Sequence, residues 1–420
     1  MIKHKKIILG LIVSFIFIVS LVVFDVGTNA YVLQNKKSSI KNNNMMSILL
    51  ETQAGSGEYS SSSDNSWPTS GYEFNSELSK CVNGGTLTWD STNNKVMFDG
   101  EASDKCYVYF NKIMTASDYI KKLYTGIQGE NNLYYHDSTL TNGAGDNSYR
   151  FAGSNESVNN FVCFGYDSID GSCPTDYLYR IIGVFDDQIK LIKYDYAKAD
   201  LLGKNGDYYN TYSGWEGTSN NGTSKGEVSK TDIGVYYWNY KNDTTINNGH
   251  GSDDWTTSLL NKVNLNTNFI NNIGGKWNSK IVTHTWIVGG NAWDAIGSVV
   301  VSTSYQNEIV NPRNDTTYDS KIGLMYISDY GYASNPSLWT IGLSSLDYMS
   351  KVKKNNWMYM GLYDWTITPV YAGAIYVMGD GVTHDGYTSL TRAVRPVFYL
   401  NSDVLFADGN GTISKPFLIN

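Results

Sequence analysis

Four cysteines are the side chains in this sequence best suited to covalent chemistry: Cys81, Cys106, Cys163 and Cys173. None belongs to a CxxC pair, and no histidine lies near them at the spacing of a zinc site. The N-terminus, considered below, indicates export, and an even number of cysteines in an exported chain favours disulfides. We predict that nearest neighbours pair, Cys81 with Cys106 and Cys163 with Cys173. Other connectivities and four reduced thiols are the alternatives.

The histidines and carboxylates show no catalytic spacing. His136, His250, His284 and His384 are spread singly, without an HxH or HxxxH pair, so we predict neither a metal site nor a cofactor. The motifs HExxH and GxxxxGK[ST] are missing. Carboxylates are numerous enough for two of them to meet in space for sugar hydrolysis. A cell-wall sugar hydrolase therefore remains the third hypothesis, and our prediction is that the chain is not an enzyme.

Aromatic side chains are the better lead to binding. The chain has 33 Tyr and 11 Trp, with 40 Gly and only 7 Pro. Aromatic faces stack on sugar rings and anchor protein interfaces. A set within Gly- and Asn-rich sequence is our candidate ligand-binding group: Trp339, Trp357, Tyr359, Tyr363 and Trp365. The alternation in WMYMGLYDW is also typical of a strand with one buried face, so core packing is the alternative for each residue.

The charge balance argues against nucleic-acid binding. Lys and Arg number 32 against 40 Asp and Glu, which gives a net charge of −8. Nucleic-acid binding needs concentrated positive charge that displaces counterions. Beyond the first few residues the basic clusters are short, such as KVKK at 351–354. We therefore expect no nucleic-acid partner.

The N-terminus carries the signal of a membrane segment. Lys3, Lys5 and Lys6 precede an uncharged apolar run from Ile7 to Phe24. A helix that spans the hydrocarbon core needs roughly 20 apolar residues, and the positive flank stays in the cytoplasm. We expect an uncleaved anchor that holds the rest of the chain outside the cell membrane. Cleavage after Ala30, which would secrete the chain, is the alternative.

Composition and pattern divide the chain into four parts. Residues 1–30 are the anchor or signal peptide, and 31–70 are a flexible polar linker. Within the linker, MMSILLE at 45–51 is the one stretch that resembles a short helix. Residues 71–114 form a small β module that is cross-linked by a disulfide, and residues 115–420 form an α+β domain with long loops.

Local patterns place the main elements. Alternation on both sides of STNN predicts a hairpin, and apolar strands around Asp186-Asp187 predict another over 177–196. Thr115 or Ser117 caps a helix over TASDYIKKLYTGI. A second helix begins with Asp254 as its cap and stops at Gly274-Gly275. The rest alternates short strands, including KIGLMYISD and VRPVFYL, with turns.

The ordered motifs over about 175–405 resemble an uncharacterised family of exported Firmicute surface proteins from gut bacteria. These motifs are a hairpin like YRIIGVFDDQIKLI, a WxxSxL segment beginning at Trp255, GLMYISD, NNWMYMGLYDWTITP and a late VRPV strand. More distantly, the layout is similar to the C-type-lectin-like fold of formylglycine-generating enzymes. That chemistry uses late cysteines, and no cysteine follows Cys173. The resemblance therefore implies a C-type-lectin-like fold without those catalytic residues.

The adjacent residues Arg395 and Pro396 in the last apolar strand need a structural reason. Proline is tolerated at a strand start or edge, where no ladder N–H is required. Arg395 is then expected to turn inward and hold a loop through several hydrogen bonds. Its candidate partners are Asp329, Asp364 and Asp380. We assign structural roles to Arg395, Pro396 and Trp255.

The sequence therefore favours a membrane-anchored extracellular binding protein without catalysis. The expected ligand is a glycan or another surface protein. A structural or assembly component, like a pseudopilus subunit, is the second hypothesis, because a short apolar N-terminal helix precedes a Gly- and Tyr-rich head. The missing glutamate near the start of the apolar run counts against a pilin.

Overall fold

A computed structural model describes residues 46–63, 66–68, 71–167, 172–213 and 224–420. The predicted anchor, 1–30, and residues 31–45 of the predicted linker lie outside the described residues. Within the described ranges, none of the helices combines the length and apolar character needed to cross a bilayer. The described residues divide into two compact units, with the boundary between Met114 and Thr115. The described residues as a whole contain strands and helices, with more strand than helix, which confirms the predicted mixed α+β class.

The first unit is a small β structure. Its strands are β1 (Met46–Glu51), β2 (Tyr59–Ser61), β3 (Tyr72–Cys81), β4 (Thr86–Asp90), β5 (Lys95–Asp99) and β6 (Cys106–Lys112). Four of them form a sheet in the order β2-β1-β6-β3, in which β1 runs parallel to β6, while β4 and β5 form the hairpin predicted around STNN. The Cys81–Cys106 disulfide joins the end of β3 to the start of β6, which confirms the predicted pairing. Val108 and Phe110 are buried beneath this sheet.

Strand β1 corrects the interpretation of residues 45–51. We expected a short helix within a flexible linker, and the structure has an extended strand there. Met46 and Ile48 are buried on one face, with the period of two that a strand requires. A helix this short gains too few hydrogen bonds to be stable alone, whereas the edge of β6 offers this segment a full ladder of partners.

The second unit contains the remaining strands. They are β7 (Leu133–Tyr135), β8 (Tyr149–Phe151), β9 (Phe161–Cys163), β10 (Leu178–Phe185), β11 (Gln188–Lys193), β12 (Tyr208–Thr211), β13 (Gly234–Tyr237), β14 (His284–Ile287), β15 (Thr317–Ser320), β16 (Ile322–Gly323), β17 (Asp364–Val370), β18 (Gly373–Val377), β19 (Thr383–Tyr387), β20 (Thr391–Arg392), β21 (Val397–Tyr399), β22 (Phe406–Asp408) and β23 (Phe417–Ile419). The largest sheet has the order β16-β21-β11-β10-β9-β23-β22, and β8 pairs with β10 beside it. Smaller sheets are β12-β13-β20, β17-β18-β19 and β14-β15. The Cys163–Cys173 disulfide, also predicted, follows the end of β9.

Short helices connect these sheets. They are α1 (Ala116–Lys122), α2 (Ala199–Leu202), α3 (Ile246–Gly249), α4 (Ile270–Asn272), α5 (Gly275–Asn278), α6 (Trp293–Ile296), α7 (Val301–Tyr305), α8 (Ile327–Tyr332) and α9 (Leu346–Asn355). Wider π-helical turns occur at Leu260–Phe269 and Gln306–Val310, and 3₁₀ turns occur at Glu130–Asn132, Thr175–Tyr177, Trp255–Thr257 and Pro336–Leu338. Thr115 caps α1 through the N–H of Asp118, as predicted. Asp254 is also a cap, but of the short 3₁₀ turn that contains the fully buried Trp255.

The β10–β11 hairpin carries the second unit's central strands. Its turn is Asp186-Asp187, as predicted, and both residues have positive φ, +45° and +67°. Asp is one of the few non-glycine residues that adopt this conformation readily. Strand β8 approaches β10 at Gly183, where a Cβ would lie 2.2 Å from the Tyr149 carbonyl oxygen. Because Gly183 has no side chain, β8 can pair closely with β10 there. Arg150 on β8 can then reach the region of β11, on the other side of β10.

Residues 327–332 differ from the prediction. The segment GLMYISD was expected to be a strand, but the strand ends at Gly323 and α8 begins at Ile327. The carboxylate of Asp329 accepts the N–H of Tyr326, and the buried Glu308 carboxylate accepts those of Ile327 and Ser328. These acceptors satisfy N–H groups that a helix start leaves without partners. Because Glu308 is distant in sequence, this capping was not visible locally.

Arg395 and Pro396 take the positions that the last strand requires. Pro396 precedes β21, so the ladder does not need its missing N–H, and its carbonyl accepts the N–H of Lys193 at 3.0 Å. Arg395 turns inward. Its Nε lies 2.6 Å from Oδ2 of Asp364, and its Nη2 lies 3.0 Å from the carbonyl oxygen of Met358. Asp364 is thus its partner among the three candidates.

Asp364→Asn should destabilise the protein strongly. The substitution leaves the Arg395 charge buried without a countercharge, which costs about 3–5 kcal/mol in comparable pairs. The free energy of unfolding from urea titration is the measurement. Asp347→Asn is the matched control, because its ion pair with Lys351 is about half exposed and should cost less than about 1 kcal/mol. Equal losses in the free energy of unfolding for the two variants would contradict a buried ion pair between Arg395 and Asp364.

Removing the disulfide of the first unit should also be costly. Closing a loop of this size lowers the entropy of the unfolded chain and thereby stabilises the fold by about 3–4 kcal/mol. Replacing Cys81 and Cys106 together by Ala should therefore lower the free energy of unfolding of this unit by about that amount. Hydrogen exchange read on peptides from 46–114 locates the effect. The corresponding replacement of Cys163 and Cys173 should leave exchange in those peptides unchanged, and faster exchange there would show that the effect is not local.

Candidate functional site

A cavity of about 260 Å³ lies in the second unit beside the β10–β11 hairpin, and we call it the Lys190 cavity. Its ionisable lining residues are Asp146, Arg150, Asp186, Lys190, His284 and Asp329. The other lining residues are aromatic, aliphatic or hydroxyl-bearing: Phe185, Thr285, Ile287, Tyr305, Ile309, Tyr326, Ser328 and Tyr399. Buried cations and carboxylates beside aromatic rings are typical of ligand sites.

Three elements place charged side chains at the floor. Lys190 comes from β11, Arg150 from β8 and Asp329 from α8, and their side chains are 1–3% exposed. Nζ of Lys190 lies 2.6 Å from Oδ2 of Asp329, and Nη1 of Arg150 lies 3.9 Å from Oδ1. Arg150 also pairs with Asp146 and donates from Nε to Ser148 at 2.7 Å. Each floor charge therefore has a countercharge, as burial requires.

The pKa directions follow from this pairing. Burial lowers the pKa of Lys190, and the Asp329 carboxylate opposes that change only in part. Burial would raise the pKa of Asp146, but the Arg150 charge and the hydrogen bonds from Ser148 outweigh it and lower the pKa below its ordinary value. The pKa of Arg150 moves up, because Asp146 and Asp329 outweigh its burial. Asp146 therefore stays ionised at neutral pH.

Aromatic rings surround the buried amine. Nζ of Lys190 lies 4.6 Å from the Tyr326 ring centre and 5.2 Å from that of Tyr399. The Arg150 guanidinium lies 4.7 Å from the Phe185 ring centre. Ring faces attract cations, so the aromatic walls help to keep both cations in place.

His284 forms part of the wall as an uncharged ring. It stacks on Tyr399 with centres 3.9 Å apart and planes inclined by 22°. Burial, followed by the nearby Lys190 charge, lowers the pKa of His284 to about 4. At neutral pH the ring can therefore offer both an N–H donor and a nitrogen acceptor to a ligand.

The rim is more exposed than the floor. Asp186 and Thr285 are exposed at the mouth, and Ile309 is half-buried in the turn after α7. Glu308, the next residue back, points into the core and holds the start of α8. Its burial raises its pKa, although hydrogen bonds from Thr368 and Ser328 oppose this. The rim residues are therefore free to change without loss of a buried ion pair.

The five aromatic residues predicted to bind a ligand are in the core. Trp339, Trp357 and Trp365 are each 1% exposed, and Tyr359 and Tyr363 are also buried. Their polar atoms bind the backbone: Nε1 of Trp357 donates to Phe151, and the Tyr359 hydroxyl donates to Gly379. No face of these rings is open for stacking, so they do not form the exposed aromatic surface that we expected. The alternation in WMYMGLYDW reflected burial instead.

Sequence reasoning missed the Lys190 cavity. Asp329 had been considered only as a partner for Arg395, and His284 only as an isolated histidine. The local signal was Lys190 between Ile189 and Leu191, a charge within an apolar strand. Such a lysine is normally exposed, and nothing nearby in sequence indicates a partner.

One group of side chains bears on whether the chain holds a metal ion. Among the described ranges, the side chains close enough together to hold an ion are Cys81, Asp104 and Cys106. The two sulfurs are joined to each other, so neither is a thiolate that could bind a metal.

Known proteins give no further guide to this site. No family model, curated protein or solved structure matches the chain. The function must therefore be argued from the geometry of the cavity.

Acidification should weaken the fold through His284. The folded state lowers its pKa, so the unfolded chain binds the proton more readily, and stability present above pH 6.5 is lost as pH falls toward 4. We expect His284→Phe, which keeps a ring against Tyr399, to reduce the loss between pH 7 and pH 4.5 by up to about 3 kcal/mol. Urea titrations at the two pH values measure this.

His384→Phe is the control for the acid effect. His384 is 54% exposed, so its replacement should leave the loss of stability unchanged. A wild-type loss that His284→Phe does not reduce would show that the stacked ring does not titrate in the folded state as described.

Proposed function

We propose that this chain is a membrane-anchored extracellular protein that binds a glycan, with the terminal sugar held in the Lys190 cavity, and that it does not catalyse a reaction. The proposal includes a C-type-lectin-like arrangement of the second unit. It also places that unit outside the cell, attached through the N-terminal segment or secreted after cleavage near Ala30. The two disulfides support an oxidising compartment.

The shape of the site favours a glycan over a surface protein. A cavity of about 260 Å³ is close to the lower end of small-ligand sites, roughly 300–1,000 Å³. It can enclose one ring of a sugar, whereas protein interfaces use broader surfaces. A glycan end can enter such a cavity while the rest of the chain remains outside.

The charge arrangement favours a neutral, hydroxyl-rich ligand. Asp146 and Asp329 already neutralise Arg150 and Lys190. An anionic ligand would meet these carboxylates and the exposed Asp186, while an apolar one would leave the floor without hydrogen bonds. A sugar can donate hydroxyls to carboxylates and place a C–H face on a ring, here Phe185 or Tyr305. This pairing of buried charges with aromatic walls is the observation that carries the proposal.

Binding without turnover is supported by the state of the carboxylates. Sugar hydrolysis needs a carboxylic acid with a raised pKa beside an ionised carboxylate. Asp146 has a lowered pKa, and Asp329 is engaged by Lys190 and the N–H of Tyr326. Asp146 is therefore not prepared to donate a proton at neutral pH, and Asp329 is already held by groups of the protein.

Filling the cavity mouth should abolish glycan binding. Ile309→Trp puts a large ring at the rim, and we expect at least a tenfold loss of affinity for the neutral oligosaccharide that binds best on a glycan array, measured by calorimetry. Val310→Trp is the matched control, because Val310 is the next residue, is 51% exposed and does not line the cavity. Retained binding in Ile309→Trp, equal loss in both variants, or an array without any bound glycan would overturn the proposal.

A further inference from the structure

A buried amine and a buried carboxyl group meet at the floor of the Lys190 cavity. Nζ of Lys190 lies 2.6 Å from Oδ2 of Asp329, and the two side chains are 1% and 2% exposed. Among the described residues, Oδ2 is the one hydrogen-bond acceptor of this amine, although an ammonium group has three donors. The ring faces of Tyr326 and Tyr399 also lie close to it. We propose that Lys190 and Asp329 react to form an amide bond that cross-links β11 to α8.

The reaction is a condensation that releases one water molecule. A proton first passes from the Lys190 ammonium to the Asp329 carboxylate, which gives a neutral amine and a carboxylic acid. The Nζ lone pair then forms a bond to Cγ, and the Cγ–Oδ2 bond breaks. Oδ2 departs as water with two protons that both come from Nζ, and Oδ1 remains as the amide carbonyl. No oxidant, reductant or cofactor enters the balance.

The surroundings favour each step. Burial disfavours the charged amine and lowers the pKa of Lys190, which makes the nucleophilic neutral form accessible. Nη1 of Arg150, 3.9 Å from Oδ1, can stabilise the negative charge that develops on that oxygen during attack. The adjoining cavity gives the departing water a place to go.

Proximity lowers the activation barrier. Groups held in contact react with effective molarities of about 10⁵–10⁸ M, which speeds the formation of an amide from this pair. Asp329 is held by the Tyr326 N–H at 2.9 Å, and Glu308 fixes the two preceding backbone N–H groups at 3.0 Å. The carboxyl group is therefore fixed in front of the amine.

The chain contains a matched pair that should not react. Nζ of Lys198 also lies 2.6 Å from a carboxylate oxygen, that of Asp176, but these side chains are 36% and 47% exposed. Water reaches both side chains there and competes with the contact between them. Burial, rather than distance, is then the variable that separates the two pairs.

Mass spectrometry of the purified full-length protein tests the cross-link directly. After allowance for the hydrogens lost at the two disulfides, the mass should be lower than the sequence mass by that of one water molecule. Protease digestion and fragmentation should yield a branched peptide that joins the Lys190 and Asp329 segments, while Lys198 and Asp176 are recovered in linear peptides. Recovery of Lys190 and Asp329 entirely in linear peptides would overturn the proposal.

Two variants assign the lost mass to this pair. Lys190→Met should show no loss of water, and Asp329→Asn should lose ammonia instead, because its leaving group is an amine. The wild-type peptide map decides the question even if a variant fails to fold. The measurement needs no ligand, so it stands apart from the glycan proposal. The amide removes one charge of each sign, so the balance of charge around the cavity is unchanged, and the Arg150–Asp146 pair remains.

Discussion

The second unit depends on giving every buried charge a partner. Lys190, Arg150 and Asp329 come from three separate elements, and each is nearly inaccessible to water. Removing such charges from water costs several kcal/mol apiece unless countercharges and hydrogen bonds compensate. Strand β11, strand β8 and helix α8 therefore have few relative positions that are tolerable. Gly183 has no side chain and so lets β8 lie close to β10, and the Glu308 carboxylate holds the start of α8.

Aromatic packing serves the same requirement elsewhere in this unit. The buried Arg180 guanidinium lies between the rings of Phe161 and Trp357, at 4.3 and 4.6 Å from their centres. Its donors reach the side chains of Asn155 and Asn160 and the carbonyl of Val158. The abundance of Tyr and Trp is thus used largely for the core, where rings both fill space and accept cations.

The features that sequence predicted are those with local causes. The Asp186-Asp187 turn and the Thr115 cap involve neighbours in the chain, and nearest-neighbour cysteines also proved to be the bonded ones. The failures have distant causes. Strand β1 needed the edge of β6, and helix α8 needed Glu308. The cavity could not be foreseen, because Lys190 and Asp329 are 139 residues apart and the lysine alone does not indicate which carboxylate it meets.

A packing defect does not explain the Lys190 cavity. A space lined by apolar side chains would be reduced by collapse or by larger residues, but its floor carries ionised groups that apolar side chains cannot satisfy. Replacing a buried ion pair by apolar residues often leaves stability unchanged or improves it. Stability alone therefore does not account for two buried cations and their two carboxylate partners beside an open space. Under the binding proposal, these paired groups form a polar surface that offers fixed hydrogen-bonding groups to a ligand entering from the rim.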